Sequence, residues 1–313
     1  MNRSPGNLPS VDLPESTESA ASAVTARYLQ CGNRRLSLSQ ARIMGVLNIT
    51  PDSFSDGGRF VSSGPPDVGR AVAEGCQMME AGASVLDVGG ESSRPGADAV
   101  SVEEELRRVM PVVEALLQLD TIVAVDTTKV EVARRALASG CHLINDISGC
   151  RDPHMLELLA GSNAGVCMMH MAGEPQTMQN NPQYRDVTAQ VREFLENRVR
   201  ECRAVGIETH RIAIDPGFGF GKSLEHNLTL LRELDEVRVG SLPILVGLSR
   251  KSMIGRLTGR EVSRRLAGSV AAALLAVQRG ADIVRVHDVG ATADALKVYQ
   301  ALKSNHEESQ AGE

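Results

Sequence analysis

The sequence alternates eight times between a short apolar run and a longer amphipathic segment. Short apolar runs bounded by turn residues are typical of parallel strands buried on both faces, and the longer segments are typical of covering helices. The predicted strands are residues 42–48, 85–89, 122–126, 143–146, 165–170, 211–215, 243–247 and 283–286. The predicted helices are residues 68–81, 102–117, 129–139, 152–160, 187–204, 224–236, 263–278 and 291–302.

Eight strand–helix units, with no linker and no change of composition between them, predict one α/β domain that forms a (β/α)8 TIM barrel. A doubly wound sheet is the alternative. Such a sheet more often has a Gly-rich dinucleotide turn after its first strand, and the sequence has none there.

Both ends of the chain differ from the barrel. Residues 1–25 are rich in Ser, Pro, Glu and Ala and have no apolar segment of the kind found in signal peptides, so we expect a disordered tail. Residues 26–38 alternate around Gly32-Asn33 and predict a short hairpin, which in a barrel can cover the bottom. Residues 304–313 are again polar and are predicted as a second disordered tail, so the barrel spans residues 26–303.

Charge and composition exclude several classes of partner. The net charge is −6, and no cluster of Lys and Arg suggests binding to nucleic acid or to an anionic membrane. No apolar run approaches the roughly 20 residues of a membrane-spanning helix. The six cysteines have no C-x-x-C spacing, which argues against a structural zinc site or a disulfide framework and favours the reducing cytoplasm.

The ends of the predicted strands are polar, although their interiors are apolar. In a barrel, the carboxyl ends of the strands meet at one mouth, where active sites lie. Any one of these residues, such as Asp126 or Asp146, would equally serve as a helix cap. Polar residues at all eight ends favour a functional mouth instead. The residues are Asn48, Gly90-Glu91, Asp126, Asn145-Asp146, His170, Asp215, Ser249-Arg250-Lys251 and Arg285-His287.

These side chains predict two kinds of ligand group. The carboxylates of Asp126 and Asp215 and the amide of Asn145 suit a planar heterocycle such as an amino-pyrimidinone. Four basic side chains, Arg250, Lys251, Arg285 and His287, cluster on the last two strands, and in barrels the loops after these strands often bind phosphate. Asn48, together with a bound anion, is a candidate Mg²⁺ ligand.

The segment GFGFGKS at residues 217–223 looks at first like a nucleotide-binding loop. It fits neither G-x-x-x-x-G-K-[ST] nor G-x-G-x-x-G, because Pro216 and Lys222 stand where glycines would be needed. Its glycines favour a tight turn or a close approach of backbone to ligand. Phe218 and Phe220 are candidates for packing against an aromatic substrate, with core packing as the alternative.

Eight segments of this chain resemble the dihydropteroate synthase family, and together they cover residues 43 to about 302. They are MGVLNITPDSFSDGG (44–58), DVGGESSRPG (87–96), VDTTK (125–129), INDISG (144–149), MHM (169–171), IDPGFGFGK (214–222), GLSRKSMIG (247–255) and VRVHDV (284–289). The first and sixth are long and highly specific.

The resemblance implies a transferase of folate biosynthesis. The reaction joins 4-aminobenzoate to (7,8-dihydropterin-6-yl)methyl diphosphate and gives 7,8-dihydropteroate and diphosphate. It implies a Mg²⁺ ion ligated by Asn48, a catalytic set of Asp126, Lys251, Arg285 and His287, and inhibition by sulfonamides. The implied contacts to the pterin diphosphate are Ser93, Asp126, Asn145, Asp215, Lys251, Arg285 and His287.

The resemblance also implies an aminobenzoate site, a lid and a homodimer. The aminobenzoate site is bordered by Ser93, Arg94, Phe220, Ser249 and Arg250, and residues 50–58 close as the lid. Two small departures keep a hydroxyl group, since Ser93 stands where the family commonly has Thr and Thr128 where it commonly has Ser.

Two other functions compete with this one. A pterin-binding methyltransferase domain would share the Asp and Asn contacts but has no use for Arg285, His287 or the SRK segment. A non-catalytic pterin-binding paralogue is expected to have lost anion-binding or lid residues, and none is lost here. Release of diphosphate by the purified protein discriminates against both.

Overall fold

The structure is a computed structural model that describes residues 27–50, 66–92, 99–173, 178 and 181–310, with side chains as far as Lys303. The predicted N-terminal tail and all of the predicted lid except Thr50 lie outside these residues. Among the described helices, none is long and apolar enough to cross a membrane. All six cysteines are free thiols, and five of them are buried.

Eight parallel strands form one sheet within the described residues, as the sequence predicted. They are β3 (Arg42–Asn48), β4 (Val85–Gly89), β5 (Ile122–Asp126), β6 (Leu143–Asp146), β7 (Gly165–Met169), β8 (Ile212–Asp215), β9 (Leu245–Val246) and β10 (Ile283–Val286). β10 pairs with both β3 and β9, and a bridge between Ile214 and Ile244 joins the edge strands β8 and β9. The sheet therefore closes into the barrel, and all its carboxyl ends point to one mouth.

A hairpin of β1 (Tyr28–Cys31) and β2 (Arg34–Ser37) precedes the barrel. Its side chains Leu29 and Leu36 are buried and belong to the same cluster as the lower inward-facing residues of the barrel strands, such as Met44 and Leu245. The hairpin therefore covers the amino-terminal end of the barrel and leaves the carboxyl end for ligands.

Nine helices surround the strands in the described part of the chain. They are α1 (Val68–Glu80), α2 (Val102–Leu116), α3 (Val130–Ala138), α4 (Pro153–Ala160), α5 (Val187–Ala204), α6 (Leu224–Arg232), α7 (Ser252–Thr258), α8 (Leu266–Gln278) and α9 (Val289–Gln310). Their apolar faces pack on the outward-facing residues of the strands and form the main core, which includes Leu47, Val88 and Val125.

The structure differs from the sequence prediction in two segments at the carboxyl-terminal side. No element was predicted where the seven-residue helix α7 lies, because it is too short to show a helical period. The predicted tail at residues 304–313 is helical as far as Gln310, since α9 continues beyond Leu302. Elongating an existing helix adds a hydrogen bond for each residue without a new nucleation step, so an apolar face is not needed there.

Candidate active site

The inward face of the barrel changes from apolar to polar at one level. Alternate residues of a strand face the barrel axis. The lower inward residues include Val85, Ala124, Leu143, Ala213 and Ile283, all buried in one apolar cluster. Two residues further along the same strands lie Asp87, Asp126, Asn145, Asp215 and Arg285. The two-residue period of the strands therefore gathers these five polar side chains at the mouth.

Arg285 lies at the centre of a buried hydrogen-bond network. Its Nε donates to Asp87 Oδ2 at 2.5 Å, and its Nη2 donates to Asp126 Oδ2 at 2.7 Å. Asn145 donates from Nδ2 to the same Asp87 oxygen at 3.1 Å. Four strands (β4, β5, β6 and β10) thus meet through one guanidinium and one carboxylate, which fixes the side chains before any ligand arrives.

Burial dominates the electrostatics of this network. It raises the pKa of Asp126 to about 7, although Arg285 acts in the opposite direction, and the nearby Asp87 raises it further. Burial lowers the pKa of Arg285, but Asp87 and Asp126 outweigh it and hold that pKa above its ordinary value. Arg285 therefore stays cationic, whereas Asp126 is sensitive to the charge of a ligand. A positive charge forming beside Asp126 would favour its ionised form.

Asp215 and Lys251 face the same mouth from β8 and from the residue that precedes α7. Asp215 Oδ1 accepts the Gly217 N–H at 2.7 Å, and burial raises the pKa of this carboxyl. Lys251 donates from Nζ to the Phe218 carbonyl and lies 4.5 Å above the centre of the Phe220 ring. Burial lowers the pKa of Lys251 to about 8, while Asp215 acts in the opposite direction. A carboxylate and an ammonium are thus available to one planar ligand.

The loop that carries these contacts needs its glycines. Gly217 has φ +69°, and a Cβ there would lie 1.8 Å from the carbonyl oxygen of His170. Gly219 has φ +81°, and a Cβ there would lie 3.2 Å from Cδ of Lys251. Any side chain would therefore displace either the loop or the lysine.

Lys222 supports this loop from inside instead of binding phosphate. Its buried Nζ lies 2.8 Å from His170 Nδ1, 2.9 Å from the Gly217 carbonyl and 3.0 Å from the Phe220 carbonyl. Burial lowers the pKa of Lys222 well below its ordinary value, although Asp215 acts in the opposite direction. The lysine of the GFGFGKS segment is therefore a structural hydrogen-bond donor beneath the mouth.

Two side-chain pairs connect the loops after β9 and β10 at the rim. Ser249 Oγ lies 3.0 Å from His287 Nδ1 and also accepts the His287 backbone N–H at 3.3 Å. Next to this pair, Arg250 forms a bidentate ion pair with Asp288. These pairs join the two loops to each other at the rim.

Comparison with known proteins decides the family. The family model described as pterin binding enzyme matches residues 44–287. The dihydropteroate synthase of Haemophilus influenzae is 49% identical over 274 residues, which are 87% of this chain and 98% of the relative. The chain belongs to the dihydropteroate synthase family.

Solved structures of dihydropteroate synthases agree with this assignment. A Burkholderia cenocepacia dihydropteroate synthase complexed with 7,8-dihydropteroate has a TM-score of 0.82 and 45% identity, covering 90% of this chain and 99% of that one. A Yersinia pestis dihydropteroate synthase in a sulfonamide drug complex has a TM-score of 0.83 and 45% identity, covering 88% and 99%. The chain is therefore an α/β barrel transferase of folate biosynthesis that condenses 4-aminobenzoate with the pterin diphosphate.

Not every polar strand end faces the mouth. Asp146, next to the inward-facing Asn145, accepts backbone N–H groups from Ser148 and Cys150 in its own loop. Glu91 binds Lys129 and the Val100 N–H. With His170 occupied by Lys222, these strand-end residues support loops and do not line the site. Ser93 and Arg94 lie outside the described residues.

Asp87 was not among the predicted site residues. The prediction expected polar site residues at strand ends, whereas Asp87 lies in the middle of β4, fully buried between Leu86 and Val88. A lone carboxylate inside an otherwise apolar strand was the available signal, because a buried charge requires a partner.

Asn48 meets the chemical requirement for a magnesium ligand. Its Oδ1 and Oδ2 of Asp126 border the same space, since a Cβ at Gly89 would lie 3.7 Å from the first and 3.8 Å from the second. Across the described residues, no group of three or more His, Cys, Asp or Glu side chains forms a metal site. Mg²⁺ commonly uses few protein ligands and completes its shell with water and substrate phosphates, so a single amide oxygen at this position fits the ion.

Proposed function

We propose that the pterin diphosphate lies across the mouth, with its ring between Asp215, Lys251 and Asn145 and its diphosphate near Arg285 and His287. The observation that carries this proposal is the set of buried groups at one mouth. It combines acceptors suited to the amino and N3–H edge of a pterin with a guanidinium, that of Arg285, held by two carboxylates. The lysine ammonium would donate to the pterin carbonyl oxygen.

In the proposed reaction the bond from the methylene carbon to the diphosphate oxygen breaks first. The bonding electrons leave with diphosphate, and the resulting cation is delocalised over the pterin ring. The amino nitrogen of 4-aminobenzoate then forms the new carbon–nitrogen bond and loses a proton to solvent. Asp126 stabilises the positive charge, and Arg285 and His287 stabilise the departing anion. Bound Mg²⁺, held by Asn48 and the substrate, would neutralise part of the diphosphate charge.

The rim supplies the proposed second subsite. We assign the aminobenzoate carboxylate to Ser249 and Arg250 and the ring to Phe220, with Ser93 and Arg94 from the loop after β4 as further contacts. The same subsite would bind sulfonamides, which share the aryl amine. Lys251 connects the two subsites, because it contacts both the Phe218 carbonyl and the Phe220 ring.

The protein is proposed to act as a cytoplasmic homodimer. The exposed apolar side chains of the described residues include Leu257, Val262, Leu266 and Leu275, all in or near α7 and α8. The small residues of α8 suit close packing of helix on helix. Light scattering of the purified protein, with Leu275→Glu as a disruptive variant, tests the dimer.

One reaction tests the proposed function. Purified protein is mixed with the pterin diphosphate, 4-aminobenzoate and Mg²⁺, and dihydropteroate and diphosphate are measured together, with and without EDTA. Formation of both in equal amounts, lost with EDTA, supports the transferase and the metal. Pterin binding without diphosphate release would instead favour the non-catalytic paralogue. Diphosphate release without dihydropteroate would contradict the aminobenzoate assignments.

A further inference from the structure

Asp87 is a buried charge that serves two neighbours. Its side chain is 0% exposed, and its Oδ2 accepts from both Arg285 and Asn145. Its Oδ1 is buried and has no partner in the part of the chain that the structure describes. Keeping a carboxylate in such a place is costly unless its contacts contribute something else. This carboxylate holds the side chains of Arg285 and Asn145 in a fixed position relative to each other.

We propose that Asp87 is a positioning residue that aligns Arg285 and Asn145 with each other, and so sets the spacing between the diphosphate and pterin ends of the substrate. This inference rests on the roles proposed above for those two residues. Asp87 itself is fully buried, binds Arg285 and Asn145, and touches no substrate in this proposal.

The contact with Arg285 determines which end of the guanidinium faces the ligand. Asp87 takes Nε and Asp126 takes Nη2. Among the described residues nothing binds Nη1, so this nitrogen remains for an anion. Because two carboxylates on different strands hold one planar group, its orientation is set before the diphosphate binds. Binding of an anion then costs little side-chain entropy, whereas a mobile arginine would have to become ordered on binding.

The contact with Asn145 determines which face of the amide the ligand meets. An ionised carboxylate can only accept, so the Asn145 side chain must turn its Nδ2 toward Asp87. The amide then presents its Oδ1, an acceptor, to the ligand. An acceptor at this position favours a ring carrying an exocyclic amino group over one carrying an oxygen there. Asp87 thereby contributes to the choice of an amino-substituted heterocycle.

The test uses Asp87→Asn, with Asp146→Asn as the matched control. Both exchange a buried carboxylate on a barrel strand for an amide, but Asp146, at the end of β6, accepts backbone N–H groups of its own loop. Calorimetry measures the binding of 6-hydroxymethyl-7,8-dihydropterin, of its analogue with oxygen in place of the 2-amino group, and of inorganic diphosphate. Thermal unfolding of each variant is followed in parallel.

The expected result is a joint loss. Asp87→Asn weakens binding of the pterin and of diphosphate by about tenfold each, as expected for one misaligned hydrogen-bonding partner at each end. It also reduces the preference for the amino over the oxo ring, because an amide at position 87 can donate and lets Asn145 turn over. Asp146→Asn changes neither affinity nor preference. A purely structural role would lower the unfolding temperature without changing the preference.

Two results would overturn the inference. One is wild-type affinity of Asp87→Asn for both ligands. The other is additivity, meaning that Asn145→Ala costs as much affinity for the pterin in the Asp87→Asn background as in the wild type. Because these measurements need only binding, they remain decisive if the wild-type protein binds the pterin but makes no dihydropteroate, which would contradict the proposed function alone.

Discussion

The guanidinium of Arg250 binds the carboxylate of Asp288 through two parallel hydrogen bonds, Nε to Oδ2 at 3.0 Å and Nη2 to Oδ1 at 2.6 Å. The backbone of Arg250 is held separately, since its N–H donates to Ser269 Oγ at 2.9 Å and its carbonyl accepts from Arg265 at 3.0 Å. This support maintains a left-handed conformation with φ +58°. Asp288 therefore neutralises the side chain without being needed to place its backbone.

Asp288→Asn is expected to lower the KM for 4-aminobenzoate. The substitution releases the positive charge of Arg250 at the rim, where the substrate carboxylate is proposed to bind. Two unit charges about 4 Å apart in water attract by about 1 kcal/mol, which corresponds to roughly a fivefold change. Steady-state kinetics at low and high salt would measure it, and the gain should disappear at high salt.

Glu196→Gln is the control for Asp288→Asn, because it breaks the exposed Arg192–Glu196 pair on α5, away from the mouth. Neither substitution is expected to cost more than about 1 kcal/mol of stability, since both ion pairs are exposed. A KM that rises in Asp288→Asn would show that the ion pair orients Arg250 for the substrate.

Lys251 is expected to give the reaction an alkaline limit. Burial lowers its pKa to about 8, Asp215 opposes this effect and Arg285 adds to it. The ammonium is the form that donates to the pterin carbonyl, so kcat/KM for the pterin diphosphate falls above about pH 8, by about tenfold per pH unit. Lys251→Arg keeps a cation at all these pH values. This variant is slower at neutral pH but lacks the alkaline fall, and a pH profile with the same fall would assign it to another group.

The effect of Lys251 on stability has the opposite sign. The unfolded lysine keeps its proton up to its ordinary pKa of 10.5, whereas the folded lysine releases it near 8. Between these values the unfolded state binds more protons, so the free energy of unfolding rises with pH. Urea unfolding across this interval is therefore expected to show a steeper rise for the wild type than for Lys251→Met.

The residues of the mouth could be predicted because the sequence shows where each strand ends and which alternate residues share one face of the strand. Asp126, Asn145 and Asp215 follow apolar residues at two-residue spacing, and the structure brings them to the inward face. The same parity separates Asn145, which faces inward, from Asp146, which faces its own loop. Position at a strand end, taken without this alternation, predicts both as site residues.

Other features depend on contacts between distant segments. The contact between Lys222 and His170 joins residues from different loops, and the sequence around either residue does not predict it. Helix α7 has seven residues, begins six residues after the end of β9, and is capped by Gly259 with φ +67°. Its few apolar residues also fit a loop, so only packing decides its conformation. Asp87, in contrast, could have been predicted as a site residue, because an acidic residue inside a buried strand requires a partner.

Lys222→Met is expected to destabilise the protein and weaken pterin binding together. The substitution leaves the Phe220 carbonyl and His170 Nδ1 without this donor, whereas the Gly217 carbonyl keeps the Phe220 N–H. Each unpaired buried group costs about 1 to 3 kcal/mol, so a net loss of about 3 kcal/mol is expected. Urea unfolding measures the loss and calorimetry measures the pterin affinity.

The control for Lys222→Met is Lys297→Met on α9, where the lysine is exposed and pairs with Asp294. This variant is expected to remain within about 0.5 kcal/mol of the wild type. Equal stability of the two variants would show that the contacts of Lys222 do not hold the loop.

Arg285→Ala is expected to impair steps that involve diphosphate more than binding of a pterin without diphosphate. Inorganic diphosphate binding and the rate of its release should both fall, while 6-hydroxymethyl-7,8-dihydropterin binds with smaller loss. The variant also leaves Asp87 and Asp126 buried without their cation, which costs about 3 to 5 kcal/mol of stability. Measurements therefore belong at low temperature, where folding is checked by circular dichroism. Equal losses for both ligands would remove Arg285 from the diphosphate site.

Asp215→Asn is expected to have the opposite effect to Arg285→Ala, with a larger loss in pterin binding than in diphosphate binding. Its carboxylate is the acceptor that we assign to the two parallel N–H groups of the pterin, and an amide can accept only one of them while its own N–H groups face the other. Pterin affinity should fall by about tenfold or more, and inorganic diphosphate affinity should not change. Because burial raises the pKa of Asp215, replacing it removes a costly charge, and the variant should unfold at no lower temperature than the wild type. A stable variant that still binds the pterin tightly would show that the heterocycle is recognised elsewhere in the mouth.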